Sequence, residues 1–114
     1  KDHVQSLDQF SDRQKDNLAK ILKETAGTLD SLFDYPFPYM MCMHQGPVNG
    51  EDSSNYFHFH IEFFPPMRSA EKQKFNASSE TGAWAACNPT APEEKAEELR
   101  KAHKKFLEKV NSAK

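Results

Sequence analysis

The apolar and polar positions divide the chain into two helical stretches around a strand-rich middle. Leu18, Ile21, Leu22, Leu29, Leu32 and Phe33 recur at the spacing of a single helix face. Ser11 stands ahead of this run with Gln14 three residues on, a capping-box pattern in which each side chain can satisfy the other residue's free backbone N–H. Gly27 falls inside the predicted helix, at a cost of about 1 kcal/mol relative to Ala. The segment Asp34-Tyr35-Pro36-Phe37-Pro38 ends it, because proline has no N–H to donate and its ring collides with the preceding turn. A second helix is expected from Thr90, with Pro92 in its first turn and Glu93 completing another capping box. Leu99, Ala102, Phe106, Leu107 and Val110 make its buried side, and Lys101, Lys104, Lys105 and Lys109 its solvated one.

Between the helices, strands are predicted over 39–44 and 56–64. They are separated by a loop carrying Gly46, Pro47, Gly50, Asp52, Ser53 and Ser54, so antiparallel pairing is the simplest arrangement. Residues 2–7 read as a short edge strand, and 67–88 as one or two short strands or an ordered loop. The expected fold is α+β: one domain with a small antiparallel β-sheet and two flanking helices.

Composition narrows the partners. At 114 residues the chain supports one modest core, and its low apolar content makes it a candidate for completing that core against a partner. Nine Phe and three Tyr supply much of the area available for burial. A net charge of -2 with both signs interspersed offers no basic footprint, so neither nucleic acid nor a membrane surface is an expected partner. No apolar run is long enough for a membrane span or a signal peptide. Two cysteines, Cys42 and Cys87, are too few for a disulfide scaffold, and a reducing cytoplasmic setting is expected. Cys42, in an apolar run, is expected to be a buried thiol. A chain that begins at Lys1 rather than Met is expected to be a piece of a longer protein.

The chemistry lies in the second predicted strand. Alternate residues of a strand share a face, so Phe57, Phe59, Ile61 and Phe63 form an apolar side while His58, His60 and Glu62 stand together on the other. Same-face neighbours are roughly 6.5–7 Å apart at Cα, close enough for two side chains to converge on one ion or phosphate. His44 ends the preceding strand, following Met40 and Cys42 on the same alternation, and joins the group if the strands pair. Imidazole with carboxylate suits zinc or iron(II). The competing reading is a half-exposed polar sheet face without a ligand.

Alternating His-x-His-x-(His or Gln) marks the histidine-triad nucleotidyl hydrolases and transferases, but here Glu62 takes the third place. Its negative charge beside an incoming phosphate argues against His60 as the attacking group. The ordered series Pro36-Phe37-Pro38-Tyr39, Met43-His44-Gln45-Gly46-Pro47, His58-Phe59-His60-Ile61-Glu62 and Pro65-Pro66-Met67-Arg68 resembles the C-terminal half of the galactose-1-phosphate uridylyltransferases. Lys74-Phe75, Ser79-Glu80, Gly82-Ala83 and Pro92-Glu93-Glu94-Lys95-Ala96 continue the resemblance, which covers roughly residues 1–100. It implies transfer of a uridylyl group from UDP-glucose to galactose 1-phosphate through a covalent nucleotidyl-histidine in a His-Pro-His-x-Gln motif of the N-terminal half. No His-Pro-His occurs here, so this chain alone is expected to be inactive.

The resemblance further implies a metal site on His44, His60 and Glu62, with a fourth ligand from the missing N-terminal half and His58 in reserve. It implies sugar-phosphate contacts from Lys74, Phe75 and Glu80, with Ser79 where close relatives carry Tyr, and a homodimer. His3 and His103 match nothing in it and are read as surface residues. Two other readings stand beside it: a free-standing histidine-triad hydrolase using His60, and a non-catalytic module for dimerisation or ligand binding.

Overall fold

The computed structural model describes residues 3–76, 78–88 and 90–113. The chain forms two compact units, Lys1–Leu22 with Tyr39–Pro65, and Lys23–Pro38 with Pro66–Lys114. Helix α1 (Asp12–Leu32) contributes its first half to one unit and its second half to the other. Its start is the predicted capping box: Ser11 N–H donates to Gln14 Oε1 at 2.8 Å, and Gln14 N–H donates to Ser11 Oγ at 3.4 Å. It ends through Asp34 at φ 60°, a left-handed position that Asp tolerates better than most residues.

In the first unit, β1 (Met40–His44) and β2 (His60–Phe64) pair antiparallel, Met40 facing Phe64, Cys42 facing Glu62 and His44 facing His60. The second strand is shorter than expected because Ser53 turns the chain: its carbonyl accepts from Tyr56 N–H at 3.1 Å and Phe57 N–H at 2.9 Å. Within that turn, the backbone N–H and the hydroxyl of Ser54 hold the Asp52 carboxyl below the usual carboxylate range.

The edge strand expected over 2–7 is absent from the described residues 3–7; Asp2 lies outside them. Val4 C=O accepts from Phe59 N–H at 2.8 Å and Gln5 C=O accepts from Gly46 N–H at 2.9 Å, two isolated bonds rather than a ladder. Gly46 is needed there, since a Cβ would stand 2.7 Å from Gln5 Oε1. A short 3-10 turn (Leu7–Gln9) follows, its first N–H donating to Gln45 Oε1 at 3.0 Å.

The second unit holds most of the buried residues. Leu29, Ser31 and Phe37 are buried beside Ala102 of helix α3 (Pro92–Ser112), and Phe33, Tyr35 and Phe37 stack around the corner after α1. Gly27 has a packing role: a Cβ would come within 2.2 Å of the Phe106 ring, so its absence lets α3 approach α1 closely. Lys105 and Lys109 both donate to the Asp34 carboxylate. Leu99 and Leu107, expected on the buried side of α3, are instead 41% and 39% exposed. The helix is capped by Ala91 without a side-chain bond. Thr90, the expected cap, donates to Asn88 Oδ1 instead, through both N–H and hydroxyl.

Two further elements refine the weakly patterned 67–88 stretch. Strands β3 (Met67–Ser69) and β4 (Lys72–Gln73) make a second two-stranded ladder, and Ser78–Ala83 forms a six-residue helix, α2. Beyond α2 the chain passes through Trp84 at φ 53°, a costly conformation for a bulky residue, with the indole 94% exposed. The α+β class holds, with two ladders in place of one sheet and a third, short helix beside the two expected. Among the described residues, no helix is long and apolar enough to cross a membrane.

Candidate metal centre

The register places His44 directly opposite His60, and their rings stack with centroids 4.6 Å apart and planes 9° from parallel. Glu62, two residues along β2 on the same face, brings Oε2 to 2.9 Å from His44 Nε2. One ligating atom from each of His44, His60 and Glu62 lies within 4.8 Å of the others. Two imidazoles and a carboxylate so placed suit zinc or iron(II).

Details of the imidazoles strengthen that fit. His60 Nδ1 lies 2.8 Å from the His58 carbonyl, which can only accept, so Nδ1 carries the proton and Nε2 keeps a free lone pair. A ring N–H given to a backbone carbonyl is the usual support of a metal-binding histidine. His44 Nε2 is shielded from solvent yet has no hydrogen-bond partner among the described residues. Its short approach to Glu62 is a charge contact without hydrogen-bond alignment, as for two donors that face a common third point.

His58 does not join them. It precedes β2, and its ring packs on His3 with centroids 3.9 Å apart, so His3 is a ring partner rather than an isolated surface residue. The apolar side of the strand is present: Phe57, Phe59, Ile61 and Phe63 are half-buried, while His58, His60 and Glu62 are exposed. Phe59 meets Phe10 edge-on at 5.1 Å, and Phe63 meets Tyr39 at 5.2 Å. His103, also read as a surface residue, is half-buried, with Nε2 3.6 Å from Glu24 Oε2.

Cys42 is exposed, against the expectation of a buried thiol. It shares the alternation of Met40 and His44, and that face of the ribbon is open. The signal was present in the sequence, since residues two apart from a ligand-type histidine share its face.

The residues expected to contact a sugar phosphate belong to the other unit. Lys74 is exposed and its N–H donates to the Pro66 carbonyl at 2.7 Å, tying the segment after β4 back to the start of β3. Phe75 is 76% exposed. Glu80 lies on α2, and its Oε1 accepts from Cys87 N–H at 3.4 Å. The Ser79 hydroxyl and Cys87 thiol are 2.9 Å apart, so the loop after α2 folds back against both residues.

Comparison with known proteins places this geometry. The family described as galactose-1-phosphate uridyl transferase, C-terminal domain, matches residues 1–110. A galactose-1-phosphate uridylyltransferase of Thermotoga maritima is 52% identical over 100 residues, covering 88% of this chain and 31% of that protein. One from Rattus norvegicus is 36% identical over 101 residues, covering 86% and 26%. A solved uridylyltransferase structure superposes with a TM-score of 0.79 at 33% identity, covering 92% of this chain and 33% of that one. The chain thus spans about a third or less of the length of these relatives. It belongs to the galactose-1-phosphate uridyl transferase C-terminal domain family.

Proposed function

We propose that this chain is the C-terminal part of an enzyme that transfers UMP between UDP-glucose and galactose 1-phosphate in galactose metabolism. The observation that carries the reading is the match of residues 1–110 to a C-terminal domain of such transferases. In this reading the chain makes two contributions. His44, His60 and Glu62 hold a zinc or iron(II) ion, supported by the convergence of their ligating atoms and the unpartnered Nε2 of His44. The ion would supply a fixed positive charge binding β1 to β2. Lys74 supplies a positive charge for the sugar phosphate, Phe75 an apolar surface beside it, and Glu80 a carboxylate that accepts from hexose hydroxyls.

The nucleophile resides outside this chain, in a His-Pro-His segment of the N-terminal half, and the working protein is a cytoplasmic homodimer. Glu62 keeps His60 from serving as a substitute, because a carboxylate beside it repels the phosphoryl group. Given UDP-glucose and galactose 1-phosphate, the chain joined to its N-terminal half forms UDP-galactose, and the chain alone does not. Turnover of a nucleoside phosphoramidate by the chain alone, abolished by His60→Ala, would overturn the proposal in favour of a free-standing hydrolase.

A further inference from the structure

The ribbon face that carries His44, His60 and Glu62 is a block of two residue pairs. His44 faces His60, and Cys42 faces Glu62. Directly opposed residues hold their Cβ atoms roughly 4.5–5.5 Å apart, so the four side chains form the corners of a small rectangle. Three corners already bring ligating atoms within 4.8 Å of one another. The fourth corner is a thiol that is exposed and has no hydrogen-bond partner among the described residues. Rotation about its one side-chain torsion is therefore free of any bond that must be broken. Independently of the cysteine, the solvent-shielded and unpartnered Nε2 of His44 marks the face as a place where a ligand atom is wanting.

We infer that Cys42 supplies a fourth ligand to the metal held by His44, His60 and Glu62, an inference that rests on the metal reading above. On coordination the thiol releases its proton to solvent and binds as thiolate. Two imidazoles, one carboxylate and one thiolate make a closed tetrahedral set of the structural kind, with Zn–S about 2.3 Å. The thiolate makes the site softer than imidazole and carboxylate alone, and so favours zinc over iron(II). The centre is then completed within this chain and takes no ligand from the N-terminal half.

Cobalt(II) added to the full chain tests this, because a thiolate–cobalt bond produces a near-ultraviolet charge-transfer band that imidazole and carboxylate do not. The expected result is such a band in the parent, absent from Cys42→Ser, with affinity weakened by more than about tenfold, the loss typical even of a supporting residue. Alkylation mapped by mass spectrometry gives a second readout: zinc protects Cys42 and leaves Cys87 reactive. Cobalt bound without the band, or a band unchanged in Cys42→Ser, overturns the role of Cys42 and leaves the three-ligand reading standing. Failure of the parent to bind cobalt or zinc overturns both.

Discussion

The two units hold themselves together by different means. The unit of α3 and the end of α1 buries Leu29, Phe37 and Ala102, and tightens its helix pair at Gly27. The ribbon unit carries the histidines but, among the described residues, buries only Ser53, while Met40, Met41, Met43 and Phe64 remain exposed. A two-stranded ribbon is marginal on its own in water. The chemistry thus sits on the less self-sufficient unit, where cross-strand contacts among polar groups take the place of a core. Bound metal and the rest of the protein are the natural sources of the missing stability.

The largest expected effect comes from removing the metal. Chelation should accelerate backbone amide exchange in β1 and β2 strongly, since binding to a structural site contributes directly to folding, and should leave α3 nearly unchanged. Equal loss of protection in both units would break the contrast. Gly27→Val should act in the opposite place. Overpacking against Phe106 costs about 1–3 kcal/mol, seen as a lowered thermal midpoint with metal affinity unchanged. Replacing Phe106 by Ala in the same chain should recover part of that loss, the signature of a direct clash.

The smallest effect belongs to Asp34. Lys105 and then Lys109, through hydrogen bonds from their ammonium groups, hold its carboxyl below the usual carboxylate range. A folded-state value lowered in this way adds stability above the unfolded value, near pH 4, and loses it as pH falls through the folded one. Asp34→Asn should therefore lower the thermal midpoint slightly at neutral pH, and the difference should vanish in acid. A difference that grew in acid would contradict the pairing.

Local signals were legible in the sequence where the chemistry is local. Ser11 and Gln14 announced the start of α1, and strand alternation separated His60 and Glu62 from Ile61 and Phe63. Alternation could not tell that the chain before residue 60 is drawn into the Ser53 turn and toward Val4, which takes His58 out of the cluster and against His3. Gly27 read as a cost to its helix because its benefit comes from Phe106, far along the chain. The short helix α2 carries no periodic signal in six residues, and no local rule foresees Trp84 at positive φ. Cys42 read as buried because its neighbours are apolar, yet a two-stranded ribbon with few coverings leaves such residues open.

The central claim is that the ribbon is a metal clamp, and elemental analysis of protein purified without a polyhistidine tag tests it most directly. The account predicts about one zinc or iron per chain at this site, lost on His44→Ala while the helices stay folded. Metal content undiminished in that variant would contradict it.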